Sequence, residues 1–142
     1  MSVILDSDML SILQRRSEPE CGRLEQRLSQ LSDGDVFTTI VTFQEQMRGW
    51  LAALHKSRTD QRLLLAYTEL QSMLGDFCHL NILPFETAAQ SEFNRLRRQN
   101  VRIGTMDLRI ASVALATQST LLSRNLHDFQ RVPELNVEDW TR

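Results

Sequence analysis

The sequence predicts an α/β fold in which helices cover both faces of a mostly parallel sheet of four or five strands. Short apolar runs alternate along the chain with longer segments whose apolar residues recur every three or four positions, a pattern typical of strands that alternate with helices. The 142 residues include 5 glycines and 3 prolines, and 24% of the residues are charged. Those values exclude collagen-like and wholly disordered chains. A chain of this length fits one domain, which we expect to span residues 1–142.

The N-terminal part of the chain predicts two strands, each of which leads into a helix. Residues 3–5 form a short apolar run that predicts a buried strand. Ser7 or Asp8 is expected to cap the helix that follows, because short polar side chains accept hydrogen bonds from free backbone N–H groups. Apolar spacing over residues 24–31 predicts an amphipathic helix, and residues 36–41 predict the second strand.

Two helices with apolar stripes are predicted between the second and third strands. The stripe of the first helix consists of Phe43, Met47, Trp50, Leu51 and Leu54. Thr59 or Asp60 is expected to cap the second helix. The stripe of the second helix consists of Leu63, Tyr67, Leu70 and Leu74. Apolar residues in the segment from Arg48 to Gln71 belong either to the core or to an interaction surface, and the sequence leaves both interpretations open.

The C-terminal part predicts further strands and the most buried helix of the chain. The strands are predicted over residues 80–83, 120–122 and, for a short fifth strand, 136–137. Thr87 and Gln90 have the spacing of a capping box at the start of a helix. The helix over residues 105–117 has few polar positions and is expected to be buried on most sides. Cys78, next to an aromatic residue, is expected to lie in the core.

Charge and cysteine content narrow the setting in which the protein works. The net charge of −2 gives no global basic field, so any nucleic-acid surface must be a local patch. Lys56 is the only lysine among the basic residues, which suits bidentate arginine contacts to phosphate but also fits codon bias in a GC-rich genome. Two cysteines are too few for a disulfide framework. No apolar run is long enough to span a membrane, and Asp6 and Asp8 interrupt any signal peptide, so we expect a cytoplasmic protein.

Polar side chains follow the ends of several predicted strands. Asp6 comes directly after the first strand, and Glu45 is expected in the first turn of the helix after the second. Asp107 is expected in the first turn of the helix after Gly104, while Asn125 and Asp128 follow the fourth strand. Because the carboxyl ends of parallel strands meet at one edge of a sheet, we expect these residues to lie together.

Converging carboxylates repel one another unless a cation lies between them. A set of oxygen ligands without Cys or His selects Mg²⁺ or Mn²⁺, and such ions promote hydrolysis of phosphodiesters. Each acid also has a structural interpretation when it is taken singly. Asp107 is favoured by the dipole of its helix, Glu45 can be a solvated glutamate, and Asp128 can be a turn residue.

Four segments resemble the motifs of PIN domains, and they occur in the family's order. Residues 4–8 (ILDSD) are similar to the opening LD(T/S)(N/D) motif, and residues 39–45 (TIVTFQE) to the second strand with its glutamate. Residues 102–111 contain a GxxDxxIA motif. Residues 122–135 are similar to the L(T/S)xNxxDF…VPxL segment of VapC-type toxins.

The resemblance implies a PIN-like three-layer α/β/α fold and a Mg²⁺-dependent endoribonuclease, with Mn²⁺ as a possible substitute. It implies Asp6 and Asp107 as the metal ligands and Glu45 as a third acid, with Asn125 and Asp128 completing the catalytic set. Many PIN domains have an aspartate where this chain has Asn125, so the resemblance leaves open whether Asn125 or Asp128 fills the fourth position. The implied partners are an RNA substrate, a VapB-type antitoxin and a second copy of the chain.

Other residues in the motifs have weaker implied roles. Ser123 matches a position that supports the acidic cluster through hydrogen bonds. Arg102 and Arg124 flank the motifs and are either phosphate ligands or solvated surface residues. His127 lies within the last motif but has no second histidine or cysteine at the spacing of a metal pair.

The alternative function is a catalytically silent PIN-like module that binds RNA or a partner protein. Such a module is expected to have lost Asp6 or Asp107, and both are present. A structure-specific DNA nuclease is a third possibility, but such enzymes need helical appendages for which this chain has no room. The segment from Arg48 to Gln71 is the expected surface for the antitoxin or for target choice.

Overall fold

A five-stranded parallel sheet forms the centre of the protein in a computed structural model that describes residues 1–142. The strands are β1 (Val3–Leu5), β2 (Val36–Thr39), β3 (Asn81–Leu83), β4 (Thr120–Leu122) and β5 (Val137–Glu138). Their order across the sheet is β3-β2-β1-β4-β5, and every neighbouring pair is parallel. The prediction of a mostly parallel sheet is confirmed, with β1 at its centre.

Seven helices connect the strands. They are α1 (Ser7–Arg15), α2 (Glu20–Leu28), α3 (Ile40–Lys56), α4 (Asp60–Cys78), α5 (Thr87–Arg98), α6 (Thr105–Thr117) and α7 (Leu126–Phe129). None of the helices combines the length and the apolar character needed to cross a membrane.

The central strand divides the core into two halves because its side chains alternate between the faces of the sheet. Ile4 joins a cluster with apolar residues of α5 and α6, including Leu96 and Ile110. Val3 and Leu5 join a second cluster with residues of α1, α2 and α4. Helices therefore cover both faces of the sheet, which confirms the three-layer α/β/α architecture. The prediction that α6 is the most buried helix agrees with its six buried residues.

Capping side chains place two helix starts differently from the prediction. The backbone N–H of Met9 donates to Oδ1 of Asp6 at 2.9 Å, so Asp6 caps α1, and the prediction of Ser7 or Asp8 as the cap is wrong. Thr39 accepts from the N–H of Thr42 at 3.1 Å, so β2 ends at Thr39, two residues before the predicted end of the strand, and α3 begins at Ile40.

Other details of the helices also differ from the prediction. Glu45 is the sixth residue of α3 and lies in its second turn, not in the first. The predicted capping box at Thr87 is absent, since Glu86 precedes α5 and makes no side-chain cap. Helix α2 ends at Leu28, three residues before the predicted end, and Cys78 is exposed rather than buried in the core. Thr59 caps α4 as predicted by accepting from the N–H of Arg62.

Helix α4 turns most of its predicted apolar stripe toward solvent. Its buried residues are Ala66, Met73 and Phe77, whereas Tyr67 is 56% exposed. The run from Leu63 to Tyr67 is apolar around the whole helix, so the sequence pattern cannot fix which side faces inward. We use the name α3–α4 apolar face for the exposed large apolar residues of these two helices: Leu51, Leu63, Leu64, Leu65, Tyr67 and Leu74.

Candidate active site

Asp6 lies at the carboxyl end of the central strand and is almost completely buried. Only 5% of the residue is exposed, its backbone N–H donates to the carbonyl oxygen of Leu122 on β4, and its carboxylate caps α1. Burial raises the pKa of Asp6 to about 7. Hydrogen bonding by Ser123 and by the N–H of Met9 lowers that pKa in part, and the negative charges of Asp8 and Asp107 raise it. The fold thus holds this carboxylate rigidly in a place where its charge is poorly solvated.

Asp107 lies in the first turn of α6 and is half-buried. A helix dipole at this position favours the ionised carboxylate. Burial and the nearby charges of Glu45, Asp128 and Asp8 act in the opposite direction, and together they raise the pKa of Asp107 to about 6. Repulsion among the acids and desolvation therefore outweigh the helix dipole.

Glu45 reaches the same edge of the sheet from the second turn of α3. Its Oε1 accepts a hydrogen bond of 2.6 Å from the hydroxyl of Ser7, the first residue of α1. The contact joins residues 38 positions apart in the chain. It places the glutamate beside the N-terminus of α1 and within electrostatic reach of Asp107.

Asp128 and Asn125 come from the segment after β4. Oδ1 of Asn125 accepts from the backbone N–H of Asp128 at 3.3 Å and caps α7. Nδ2 of Asn125 donates to Oδ2 of Asp128 at 3.0 Å. The amide of Asn125 is therefore engaged with α7 at both ends, whereas the charge of Asp128 acts on Asp107.

The predicted residues meet at one edge of the sheet. The structure brings Asp6, Glu45, Asp107 and Asp128 together, with Asn125 holding Asp128. It adds Asp8, which is exposed and whose charge acts on both Asp6 and Asp107. Asp8 was predicted only as a possible helix cap. Its place two residues after Asp6, at the end of the same strand, is the signal that could have included it in the acidic group.

The chemistry of the donor atoms at this edge fits a hard divalent cation. All the ligating groups are carboxylates, with no thiol or imidazole among them, which is the set that Mg²⁺ and Mn²⁺ prefer. Two of the carboxylates have pKa values raised toward neutrality, so a cation here would neutralise charge that the fold leaves uncompensated. Asp6 and Asp107, the most strongly affected, are the residues that would hold it.

A second group of potential metal ligands lies elsewhere and has a structural explanation. Ligand atoms of Glu18, Cys21 and Glu25 all lie within 4.8 Å of one another. The thiol of Cys21 donates to Glu25, and Glu18 accepts from the backbone N–H of Gly22. Burial raises the pKa of the Cys21 thiol to about 11, so it is protonated near neutral pH and is a poor metal ligand. The hydrogen bonds account for this group without an ion.

Arginines near the acidic edge make no ion pairs. Arg102 and Arg124 are exposed and form no salt bridge. Arg131 donates to the backbone carbonyl of Arg102 at 3.3 Å and contacts Nε2 of His127 at 3.2 Å. His127 therefore lies on the exposed side of α7 against an arginine, and the guanidinium groups of Arg102 and Arg124 remain free to bind anions.

A polar groove of about 330 Å³ lies between α1, α3 and α4. Gln14 and Gln46 line it and exchange two hydrogen bonds of 2.9 and 3.0 Å, which tie α1 to α3. The indole of Trp50 forms part of the wall. The acidic residues of the sheet edge are not among the residues that line this groove.

Comparison with protein families and curated proteins identifies relatives of the chain. Residues 3–135 match the PIN domain family. The chain is 27% identical over 143 aligned residues to Ribonuclease VapC1 of Haemophilus influenzae strain R2866, and the alignment covers all of both proteins. It is 35% identical over 77 residues to Ribonuclease VapC2 of Rickettsia felis, an alignment that covers 51% of this chain and 58% of that relative.

Solved structures show the same fold. A VapBC2 complex from Rickettsia felis, bound to a promoter DNA fragment, contains a chain with a TM-score of 0.73 and 23% identity, and 99% of each chain is covered. A DNA-bound VapBC complex from Salmonella typhimurium gives a TM-score of 0.72 at 23% identity, with 99% of this chain and 98% of that chain covered. At this level of identity the likeness concerns the fold alone.

Proposed function

Because the chain belongs to the PIN domain family, we propose that it is a divalent-metal-dependent endoribonuclease and the toxin of a type II toxin–antitoxin pair. The observation that carries the proposal is the meeting of Asp6, Glu45, Asp107 and Asp128 at the carboxyl edge of the sheet. The relatives are named ribonucleases, and one of them aligns over its whole length. A catalytically silent module has no need for four mutually repelling carboxylates, so the geometry favours the enzyme.

The proposed substrate is an RNA phosphodiester, and the proposed cofactor is Mg²⁺ or Mn²⁺ held by Asp6 and Asp107. When bound, such an ion supplies a polarised water and neutralises charge on the reacting phosphate. Asp6 is suited to holding it because the cap of α1 and the contact with β4 fix its carboxylate. Mg²⁺ needs only one or two protein carboxylates, since water and substrate phosphate complete its shell.

The remaining acids act on water and on the geometry of the site. Ser7 occupies Oε1 of Glu45, so Oε2 is the oxygen that can accept a hydrogen bond from an attacking water. Asp128 is proposed as the fourth acid because its charge faces Asp107. Asn125 is proposed as a residue that positions Asp128, since both ends of its amide are already engaged with α7.

The proposed contacts to the RNA backbone come from Arg102 and Arg124. Both are exposed, neither pairs with a carboxylate, and their segments carry the acids of α6 and α7. A guanidinium group forms bidentate contacts with phosphate, which would keep the scissile bond near an edge that otherwise repels polyanions. The basic surface is local, in keeping with a net charge of −2.

We propose a VapB-type antitoxin as the protein partner and the α3–α4 apolar face as its docking surface. Leu64 and Leu65 are 66% and 59% exposed. Neighbouring exposed apolar side chains are typical of an interaction surface, whereas single scattered ones are common on any protein. An amphipathic antitoxin segment would bury them by presenting its own apolar side. The related structures are VapBC complexes, which supports a partner of this kind. We also propose that the protein forms a homodimer and works in the reducing environment of the cytoplasm.

Cleavage of RNA by the purified protein tests this function. The protein is incubated with single-stranded RNA and Mg²⁺, with Mn²⁺, or with EDTA, and the products are separated on a denaturing gel. Cleavage that depends on either ion supports the proposal. Undiminished cleavage in EDTA contradicts the metal dependence, and RNA that is bound but never cut favours the silent module.

A further inference from the structure

We propose that Ser7 is a positioning residue for Glu45, which it holds at the acidic edge through a hydrogen bond to one carboxylate oxygen. The inference rests on the function proposed above and adds a residue to its machinery. Ser7 follows Asp6 directly in the chain. The N-terminus of α1 would then organise two acids at once, one by capping and the other by a side-chain contact.

The geometry of the contact is that of a strong hydrogen bond. The hydroxyl of Ser7 and Oε1 of Glu45 are 2.6 Å apart, within the range of charge-assisted O–H···O⁻ bonds. Both residues are only partly exposed. A partly buried bond to a charged acceptor competes less with water than one on an open surface.

Helix capping does not explain a serine at this position. Serine is common near helix N-termini because its hydroxyl accepts from free backbone N–H groups. Here the side chain of Asp6 accepts from the N–H of Met9, and the side-chain hydrogen bond of Ser7 is made to Glu45. The hydroxyl therefore serves a contact between α1 and α3 rather than the end of its own helix.

The contact matters because two effects, charge repulsion and side-chain entropy, favour movement of Glu45 away from the acidic edge. Its negative charge lies within electrostatic reach of the carboxylate of Asp107, and like charges repel each other. A glutamate side chain also has several rotatable bonds whose freedom is lost when it is held in one place. The hydrogen bond from Ser7 opposes both effects, fixes Oε1 and leaves Oε2 free to accept another hydrogen bond.

Kinetics of Ser7→Ala, Ser7→Thr and a matched control test the proposal. Ser11→Ala is the control, because Ser11 lies one turn further along α1, is equally half-buried and makes no side-chain hydrogen bond to Glu45. Ser7→Ala is expected to lower kcat for RNA cleavage about 10- to 100-fold with little change in KM, as loss of alignment does. Ser7→Thr keeps the hydroxyl and is expected to restore most of the rate.

A double-mutant cycle separates positioning from a general structural effect. In a Glu45→Ala background, which removes the acceptor, Ser7→Ala is expected to cause little further loss of the residual kcat, because the contact acts through Glu45. Equal losses in the two backgrounds overturn the proposal, and so does full activity of Ser7→Ala. Circular dichroism melting of each variant shows whether it folds.

A readout that needs no activity keeps the inference separate from the proposed function. Wild-type protein that cleaves no RNA contradicts the function. The contact itself is then tested by the carbon NMR signal of the Glu45 carboxyl group. Ser7→Ala is expected to shift that signal more than Ser11→Ala does, and an unchanged signal in Ser7→Ala overturns the inference.

Discussion

The side chain of Asn125 makes two hydrogen bonds to Asp128: its Oδ1 accepts from the backbone N–H, and its Nδ2 donates to Oδ2 of the carboxylate. The carboxylate held in this way acts on Asp107, the acid at the start of α6. Two positions that the sequence motif left as equal alternatives therefore have different surroundings. One is a neutral side chain with both ends engaged, and the other is a charged group that faces the cluster.

Substitutions at these two positions should have separable effects. Asp128→Asn is expected to abolish RNA cleavage without lowering the free energy of unfolding of the metal-free protein. Asn125→Ala removes the cap of α7 and is expected to destabilise the protein by about 1 kcal/mol, with a partial loss of rate. Cleavage assays and chemical denaturation of both variants check this. A fully active Asp128→Asn protein would show that Asp128 is not the fourth acid.

Metal-free protein should lose stability as the pH rises toward neutrality. Burial raises the folded-state pKa of Asp6 to about 7 and that of Asp107 to about 6, whereas their ordinary value is 3.8. Groups with raised pKa values stabilise the fold fully below the unfolded-state pKa and stop doing so as pH rises through the folded-state pKa. The contribution of Asp6 is therefore lost between roughly pH 4 and 7.

Asp6→Asn removes the contribution of Asp6 to this pH dependence and is the variant that checks it. At pH 8 in EDTA the variant is expected to be more stable than wild type by on the order of 2 kcal/mol, while at pH 4 the difference should vanish. Asp33→Asn, on an exposed turn away from the site, is the matched control. Thermal melts across this pH range measure the difference. A variant that unfolds outright at every pH would make Asp6 a structural residue.

The α3–α4 apolar face should carry antitoxin binding. Leu64→Glu puts a charge on its most exposed leucine and is expected to weaken binding at least about 10-fold, as loss of a central interface contact does. RNA cleavage should be unaffected because the acidic edge is not altered. The binding partner in this test is the proposed VapB-type antitoxin, and its affinity is measured by calorimetry.

A control variant and the salt dependence of binding show whether the apolar contact is responsible. Gln61→Glu adds the same charge to an exposed polar position of α4 and is expected to bind normally. Binding by wild type should persist at high salt if the contact is mainly apolar, because salt screens charged contacts only. Normal binding by Leu64→Glu would show that the antitoxin docks elsewhere.

Association of the free protein is expected to give a dimer. Light scattering across the micromolar range should report twice the mass of one 16.4 kDa chain. A mass that equals one chain at every concentration would contradict the homodimer and leave the nuclease proposal intact.

The sequence predicted the parts of the structure that depend on local pattern and on strand order. Asp6, Glu45 and Asp128 could be placed at one edge because each comes after a strand, and Asp107 because it lies at the start of the helix that leads back to β4. The cap of α1 could not be predicted, since residues 6, 7 and 8 are all good capping types and only the backbone geometry selects Asp6.

Contacts between distant parts of the chain could not be predicted from the sequence, for a different reason. The bond from Ser7 to Glu45 depends on how α1 packs against α3, and no spacing rule relates positions 38 residues apart. The inward side of α4 could not be predicted because the run from Leu63 to Tyr67 is apolar in every direction. Burial of such a helix is decided by its neighbours, α3 above all, and not by its own periodicity.

The acidic edge is tested as the active site by the rate of RNA cleavage by Asp107→Asn in Mg²⁺, compared with wild type and Asp33→Asn. The charge of Asp107, at the start of α6, interacts with the charges of the other acids. Replacement by asparagine keeps the size of the side chain and removes this charge. We expect that wild type and Asp33→Asn cleave RNA in a way that EDTA abolishes, and that a folded Asp107→Asn protein does not cleave it. Cleavage by Asp107→Asn at the wild-type rate would contradict the assignment of the acidic edge as the active site.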